Sequence, residues 1–186
     1  MESKKIMVVD IETTGFMPDG KIVEIGAASL DVETGLIEPV FDSLCKPEGI
    51  TVGEVMHSWI IENGYIDPAE LKTARPLKEV CAEFQRVMDS GEWIGATAYN
   101  RAFDFPFLER EGIVLPAKLP CPMLLSTNVC KLPSKNGKSG YKWPKVEEAW
   151  AHLVGTEYVE LHRGCDDAMH EAQIVWELIK IGVYKF

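Results

Sequence analysis

The sequence predicts an α/β fold around one mixed five-stranded sheet, an antiparallel three-strand meander plus two parallel strands, flanked by helices. Three observations lead there. Up to Lys46 the chain runs in three extended stretches separated by tight turn signals. Beyond them, apolar residues recur at helical spacing. Extended stretches then return only between helices, the pattern of a chain that adds strands by crossover.

The elements follow in order. Residues 5 to 12 read as a strand, with Ile6, Val8, Asp10 and Glu12 on one face and Met7, Val9 and Ile11 on the other. "MPDGK" is a turn, 21 to 30 a second strand, "DVETG" another turn, and 36 to 46 a third strand. Residues 53 to 62 suggest a short helix. Leu77, Val80, Cys81, Phe84, Val87 and Met88 predict a longer helix with Pro76 near its start. "EWIGATAYN", 92 to 100, is a strand. "RAFDFPFLEREG" predicts a helix ended by Gly112, with Pro106 in its first turn. A last short strand is expected over 118 to 123, then helices near 122 to 131 and 144 to 154, and a closing helix from Cys165. The polar, glycine-containing piece "KLPSKNGKSGYK" is expected to be a mobile loop.

Composition narrows the class. The 186 residues fit a single domain, taken as 1–186, and an apolar fraction of 46% fills a core but is too low for a membrane protein. No run of about 18 apolar residues occurs, and the apolar stretch before Asp10, Ile6 to Val9, is too short for a signal peptide. The sequence closes on "GVYKF" after the last expected helix, so no polymerase-binding tail or second domain is expected to follow. Cysteines 45, 81, 121, 130 and 165 form no C-x-x-C pair; they read as small buried apolar residues in a reducing, cytoplasmic protein. A net charge of -10 argues against coating long nucleic acid by charge alone. Yet Gly112 to Val146 carries no Asp or Glu, while Lys118, Lys131, Lys135, Lys138, Lys142 and Lys145 fall within it. Residues 131 to 145 could form a basic lip guiding single strands, or a merely solvated loop.

Asp10 and Glu12 are out of place at the end of a buried strand, because adjacent carboxylates repel and lose hydration. A distant cation, protonation of one acid, or a divalent metal would relieve them; no Lys or Arg lies between Ile6 and Gly20. A strand's carboxyl end suits a hard-metal site, and an exposed strand end is the bland alternative. Asp104, between Phe103 and Phe105, reads either as a site acid or as the wet side of a helix. His162 precedes Asp167 by five residues; a helix N-terminus favours the carboxylate, and Asp166 is either its cap or a first-turn charge.

Taken together, "DIETTG", "AYNRAFD" and "HRGCDD" resemble the motifs of the DEDDh 3′–5′ exonucleases, the DnaQ-like branch of the ribonuclease H-like fold. The resemblance covers roughly residues 5 to 180. His162 rather than a tyrosine selects the h subclass. "MHSW", 56 to 59, is similar to that family's "IHGI" segment, with Ser58 and Trp59 in place of Gly and Ile.

The resemblance implies a two-metal hydrolase. Asp10, Glu12, Asp104 and Asp167 would hold two divalent cations, Mg2+ or Mn2+, with Asp10 bridging, Glu12 and Asp167 completing one site and Asp104 serving the other. His162 would be the general base, its ordinary pKa of about 6.5 suiting the task. The expected reaction is hydrolysis of the terminal phosphodiester at a single-stranded 3′ end, releasing nucleoside 5′-monophosphates. Thr13, Thr14, Phe16, His57, Trp59, Asn100 and Phe103 are the candidate substrate contacts, the aromatics for stacking on bases. "DIETTG" is closer to proofreading and general DnaQ-like enzymes than to the oligoribonuclease form "DLEMTG", which favours DNA over RNA. An RNA 3′-end trimmer is the nearest alternative, and a catalytically silent nucleic-acid-binding module a more distant one. A polymerase or replication complex is a candidate partner; the sequence leaves the oligomeric state open.

Overall fold

The computed structural model describes residues 4–49, 52–90, 93–134 and 140–186. Its sheet follows the order β4-β3-β2-β1-β5, with β4 (Arg75–Pro76) at one edge. Strands β1 (Lys5–Thr13), β2 (Ile22–Asp31) and β3 (Ile37–Lys46) form the expected antiparallel meander, and β5 (Trp93–Thr97) joins β1 in parallel. Every residue of β2 except Asp31 is buried, as befits a central strand covered on both faces.

Side-chain alternation on β1 divides two apolar layers. Met7, Val9 and Ile11 pack with α4 (Leu77–Met88) and α5 (Arg101–Arg110). Ile6 and Val8 pack with α6 (Pro122–Cys130), α7 (Val146–Leu153) and α8 (Gly164–Lys180). The α8 helix lies close on the sheet because β2 narrows to Gly26, Ala27 and Ala28 there. A methyl on Gly26 would overlap Gly164 C and Cys165 N, and one on Gly164 would sit 2.7 Å from Gly26 N. This backbone contact delivers the first turn of α8 to the face of β1 that carries Asp10 and Glu12.

Several expectations change. The fifth strand is β4 (Arg75–Pro76), a two-residue parallel partner of β3, not residues 118 to 123. There, only Lys118 bridges to Ala96, through two backbone hydrogen bonds of 2.9 Å. Pro116 and Pro120 flank the bridge and cannot donate to a longer ladder. The single helix expected over 53 to 62 is two, α1 (Val52–Met56) and α2 (Trp59–Glu62), interrupted at His57 and Ser58. A short α3 (Pro68–Thr73) follows, capped by Asp67, whose carboxylate accepts from the Ala69 N–H. Pro106 lies in the second turn of α5, not the first. The expected loop is described only in part: Lys135 and Lys138 lie outside the described residues. Lys118 pairs with Glu109 and Lys142 with Glu148, so two lysines of the acid-free segment are already neutralised. Among the described residues, no helix is long and apolar enough to cross a membrane.

Candidate active site

The site forms where β1 outruns its neighbour. Pairing with β5 ends at Val8 and Thr97, and α5 begins four residues later. Beyond Val8 the edge of β1 is open, and the Ile11 backbone there favours the charged form of the Asp104 carboxylate. Asp104 thus lies near the stretch of β1 that carries Asp10 and Glu12. From the other side, α8 contributes Asp167 in its first turn, and the loop before it contributes His162. Ligand atoms of Glu12, His162 and Asp167 all lie within 4.8 Å of one another, and His162 Nδ1 is 4.0 Å from Glu12 Oε1.

The loop is shaped around one carboxylate. Asp167 Oδ1 accepts from the Tyr158 hydroxyl at 2.5 Å and from the Leu161 N–H at 3.3 Å, while Oδ2 accepts from the Arg163 N–H at 2.9 Å. Between these donors His162 adopts φ 53, a left-handed conformation that costs a non-glycine residue about 1 kcal/mol. Its ring is met by Tyr65 at 4.3 Å and by the half-exposed Trp59 at 4.9 Å, both edge-on. Arg163 anchors the loop's far end by a forked pair with the fully buried Glu24 at 2.9 and 3.0 Å, and Glu24 also accepts from the Gly164 N–H.

Burial and mutual repulsion drive every acid of the site toward its neutral form. Burial holds Asp10 well above the usual carboxylate range, reinforced by Glu171, Glu12, Asp104 and Asp167. Burial, with Asp167 and Glu24, pushes Glu12 up to about 9. Asp104 rises to about 7 because burial outweighs its backbone hydrogen bonds. Asp167 is raised by burial against the pull of Tyr158 and the Arg163 N–H. His162 moves the other way: burial lowers it, keeping the imidazole neutral near neutral pH. No lysine or arginine side-chain charge is among the main groups acting on Asp10, Glu12, Asp104 or Asp167; Arg163 reaches Asp167 only through its backbone N–H. Hard oxygen donors crowded together without a protein cation are what a divalent metal site requires, so the donor set fits such ions.

A family model described as Exonuclease (RNase_T) matches residues 7–175. The chain belongs to this exonuclease family. The match makes it an exonuclease domain, and its fold is that of solved 3′-exonucleases of the DEDDh family, a ribonuclease H-like fold. Exonucleases of this family use divalent metal ions. Among solved structures, a 3′-exonuclease in 3′-end specific recognition of a histone mRNA stem-loop aligns with TM-score 0.73 and 17% identity, over 99% of this chain and 85% of that one. The nuclease domain of 3′hExo, a DEDDh family member bound to rAMP, aligns with TM-score 0.68 and 17% identity, over 97% and 94%. Escherichia coli exonuclease I in complex with a dA16 oligonucleotide aligns with TM-score 0.64 and 16% identity; it covers 95% of this chain, which spans 41% of exonuclease I. A search of curated proteins finds no match. Identities this low establish a shared fold.

The expected substrate residues scatter around this centre. The Thr13 hydroxyl donates to Gly15 O at 2.8 Å, and the Thr14 hydroxyl accepts from the Lys21 N–H at 3.0 Å, so both are engaged in closing the turn after β1. Phe16 is 82% exposed and meets the partly buried Phe103 edge-on at 6.0 Å. Phe16, Thr14 and Lys21 line a shallow groove of about 290 Å³ beside the strand end. Asn100 is exposed at the start of α5, and its side chain makes no capping hydrogen bond. His57 is exposed and faces Glu62 at 3.5 Å.

Sequence reasoning missed four contributors. Glu171 is a buried acid that accepts from the Tyr99 N–H at 3.1 Å and bears on Asp10 and Asp104. It stands one helical turn after Asp167, a spacing that could have exposed it. Tyr158 and Glu160 lie on an irregular loop, and Tyr65 follows α2, where no periodic pattern marks them. Burial and Asp167 push Glu160 up to about 7.

Proposed function

We propose that this exonuclease removes nucleotides one at a time from the 3′ ends of single-stranded DNA, with residues 1–186 acting as one catalytic domain. The observation that supports the reading is the gathering of Glu12, His162 and Asp167 within 4.8 Å, with Asp10 near enough to feel the charges of Glu12, Asp104 and Asp167. In this reading the four acids hold two divalent cations, Mg2+ or Mn2+. When bound, those ions supply Lewis acidity for the attacking water and for the leaving 3′-oxygen. The chain's own residues do the rest. His162, kept neutral by burial, takes the water's proton, and its strained backbone and flanking rings hold the imidazole toward Glu12 and Asp167. Bound cations would favour the ionised form of these buried acids, which would then serve as their ligands.

Phe16 and Trp59 are the exposed rings suited to stacking on terminal bases, each worth roughly 1–3 kcal/mol. Asn100 has a free amide for the sugar-phosphate backbone. The DNA assignment rests on the "DIETTG" segment. A second reading, RNA 3′-end trimming, is supported by the RNA-bound relatives, the mRNA stem-loop complex and the rAMP complex. The five buried free cysteines support a reducing, cytoplasmic setting.

Matched 5′-labelled single-stranded DNA, duplex DNA and RNA, digested with Mg2+, test the proposal. Single-stranded DNA is expected to shorten stepwise from its 3′ end and fastest. RNA shortened faster than DNA would favour the second reading, and no metal-dependent shortening of any substrate would end both.

A further inference from the structure

Resting on the metal reading above, we infer that Tyr158 is a positioning residue, aiming the Asp167 carboxylate into the site and fastening the loop that carries His162. Its hydroxyl donates to Asp167 Oδ1 at 2.5 Å, the shortest of the three bonds to that carboxylate. The other two donors, the backbone N–H groups of Leu161 and Arg163, flank His162 directly. One carboxylate therefore gathers Tyr158, Leu161 and Arg163 around itself, and the direction of the imidazole follows from that gathering.

The tyrosine ring is itself held. It stacks on His170 with centroids 4.1 Å apart and planes 23° apart, and Trp150 closes the third side at 5.2 Å from Tyr158 and 5.0 Å from His170. His170 Nδ1 lies 2.7 Å from the Asp166 carbonyl, and Trp150 Nε1 donates to Thr156 Oγ1 at 2.9 Å. These contacts come from α7, α8 and the loop between them, so the hydroxyl is presented from a packed cluster rather than from a free side chain. With Oδ1 oriented by the hydroxyl, the carboxylate keeps one rotamer, in which one of its oxygens lies within 4.8 Å of ligand atoms of Glu12 and His162. Hydrogen bonds of this kind to metal-binding side chains typically change metal affinity about 10–100-fold when removed.

The test is Mn2+ binding by titration calorimetry, without substrate, to the unaltered protein, Tyr158→Phe, Tyr184→Phe and Asp167→Asn. Tyr158→Phe keeps the stacked ring and loses only the hydroxyl. Tyr184→Phe loses a comparable hydroxyl bond, to Pro120 O at 3.0 Å, away from the acids. The expected result is a roughly 10–100-fold weaker Kd for Tyr158→Phe, an unchanged Kd for Tyr184→Phe, and loss of binding in Asp167→Asn. Parent-like affinity in Tyr158→Phe, with Asp167→Asn impaired, would overturn the inference and leave the metal reading standing. No Mn2+ binding by the unaltered protein would overturn both. Should phenylalanine at 158 unfold the chain, the unaltered protein decides by NMR. The hydrogen-bonded Tyr158 hydroxyl proton is expected to shift on Mg2+ addition with the midpoint of metal binding, and a resonance that stays fixed would overturn the inference.

Discussion

Replacing Glu12 by Gln should stabilise the metal-free protein while abolishing cleavage. In the fold, the Glu12 carboxyl titrates at about 9, because burial and the nearby Asp167 and Glu24 disfavour its charge; its ordinary value is 4.5. Between those values the folded chain keeps a proton that the unfolded chain has released, so rising pH favours unfolding. Near pH 7 the unfolded state gains about 2.5 pKa units of ionisation, or roughly 3 kcal/mol; near pH 5.5 it gains about one unit, or roughly 1 kcal/mol. These are upper values, since neighbouring acids share the proton. Glutamine keeps the shape of the neutral acid and removes the titration. At about 2–4 °C per kcal/mol for a domain of this size, Glu12→Gln should raise Tm by up to roughly 6–12 °C near pH 7, and by about a third of that near pH 5.5. Scanning calorimetry of both proteins in EDTA at the two pH values is the assay. A Gln variant no more stable than its parent near pH 7, or an advantage that does not grow with pH, would refute the idea that unrelieved carboxylate charge is stored at this strand end.

Cation binding must displace the protons these acids hold. Mg2+ titration calorimetry near pH 7, repeated in buffers of different ionisation heat, should therefore show about one or more protons released per protein, and zero release would contradict the pKa pattern. Asp10→Ala and Asp167→Ala should each abolish cleavage of labelled single-stranded DNA while leaving the far-ultraviolet circular dichroism unchanged; retained activity in either would remove that residue from the site. Gly26→Ala should destabilise by about 2–3 kcal/mol in urea, because the added methyl meets the backbone of Gly164 and Cys165 and pushes α8 off the sheet. An unchanged unfolding midpoint would mean that α8 is not seated on β2 as described.

The meander and the longer helices were legible because their signals are local. The apolar run of β1, the turns "MPDGK" and "DVETG", and the helical spacing from Leu77 to Met88 each read correctly to within a residue or two. Asp10 and Glu12 stood out for the same reason, as charges where the pattern called for apolar side chains. What stayed hidden depends on tertiary contact. The β4 strand is two residues long, one of them proline, and exists only because β3 runs alongside it. The opposite error, a strand over 118 to 123, arose because apolar residues there pack without a ladder that Pro116 and Pro120 could sustain. Tyr158 reaches Asp167 with its hydroxyl and Tyr65 meets the His162 ring, each from a loop, and no spacing along the chain encodes either contact. Glu171 was readable in principle, one turn beyond Asp167, but a glutamate on a helix is ordinary until its burial is known.

The central claim is that acids from β1, α5 and α8 share one cavity with two divalent ions. Anomalous diffraction from crystals soaked in Mn2+ tests it most directly. Two peaks roughly 3.5–4 Å apart are expected, with Asp10 between them, Glu12 and Asp167 on one and Asp104 on the other. Absence of Mn2+ from this cavity at saturating concentration, or peaks confined to other surface carboxylates, would contradict the account.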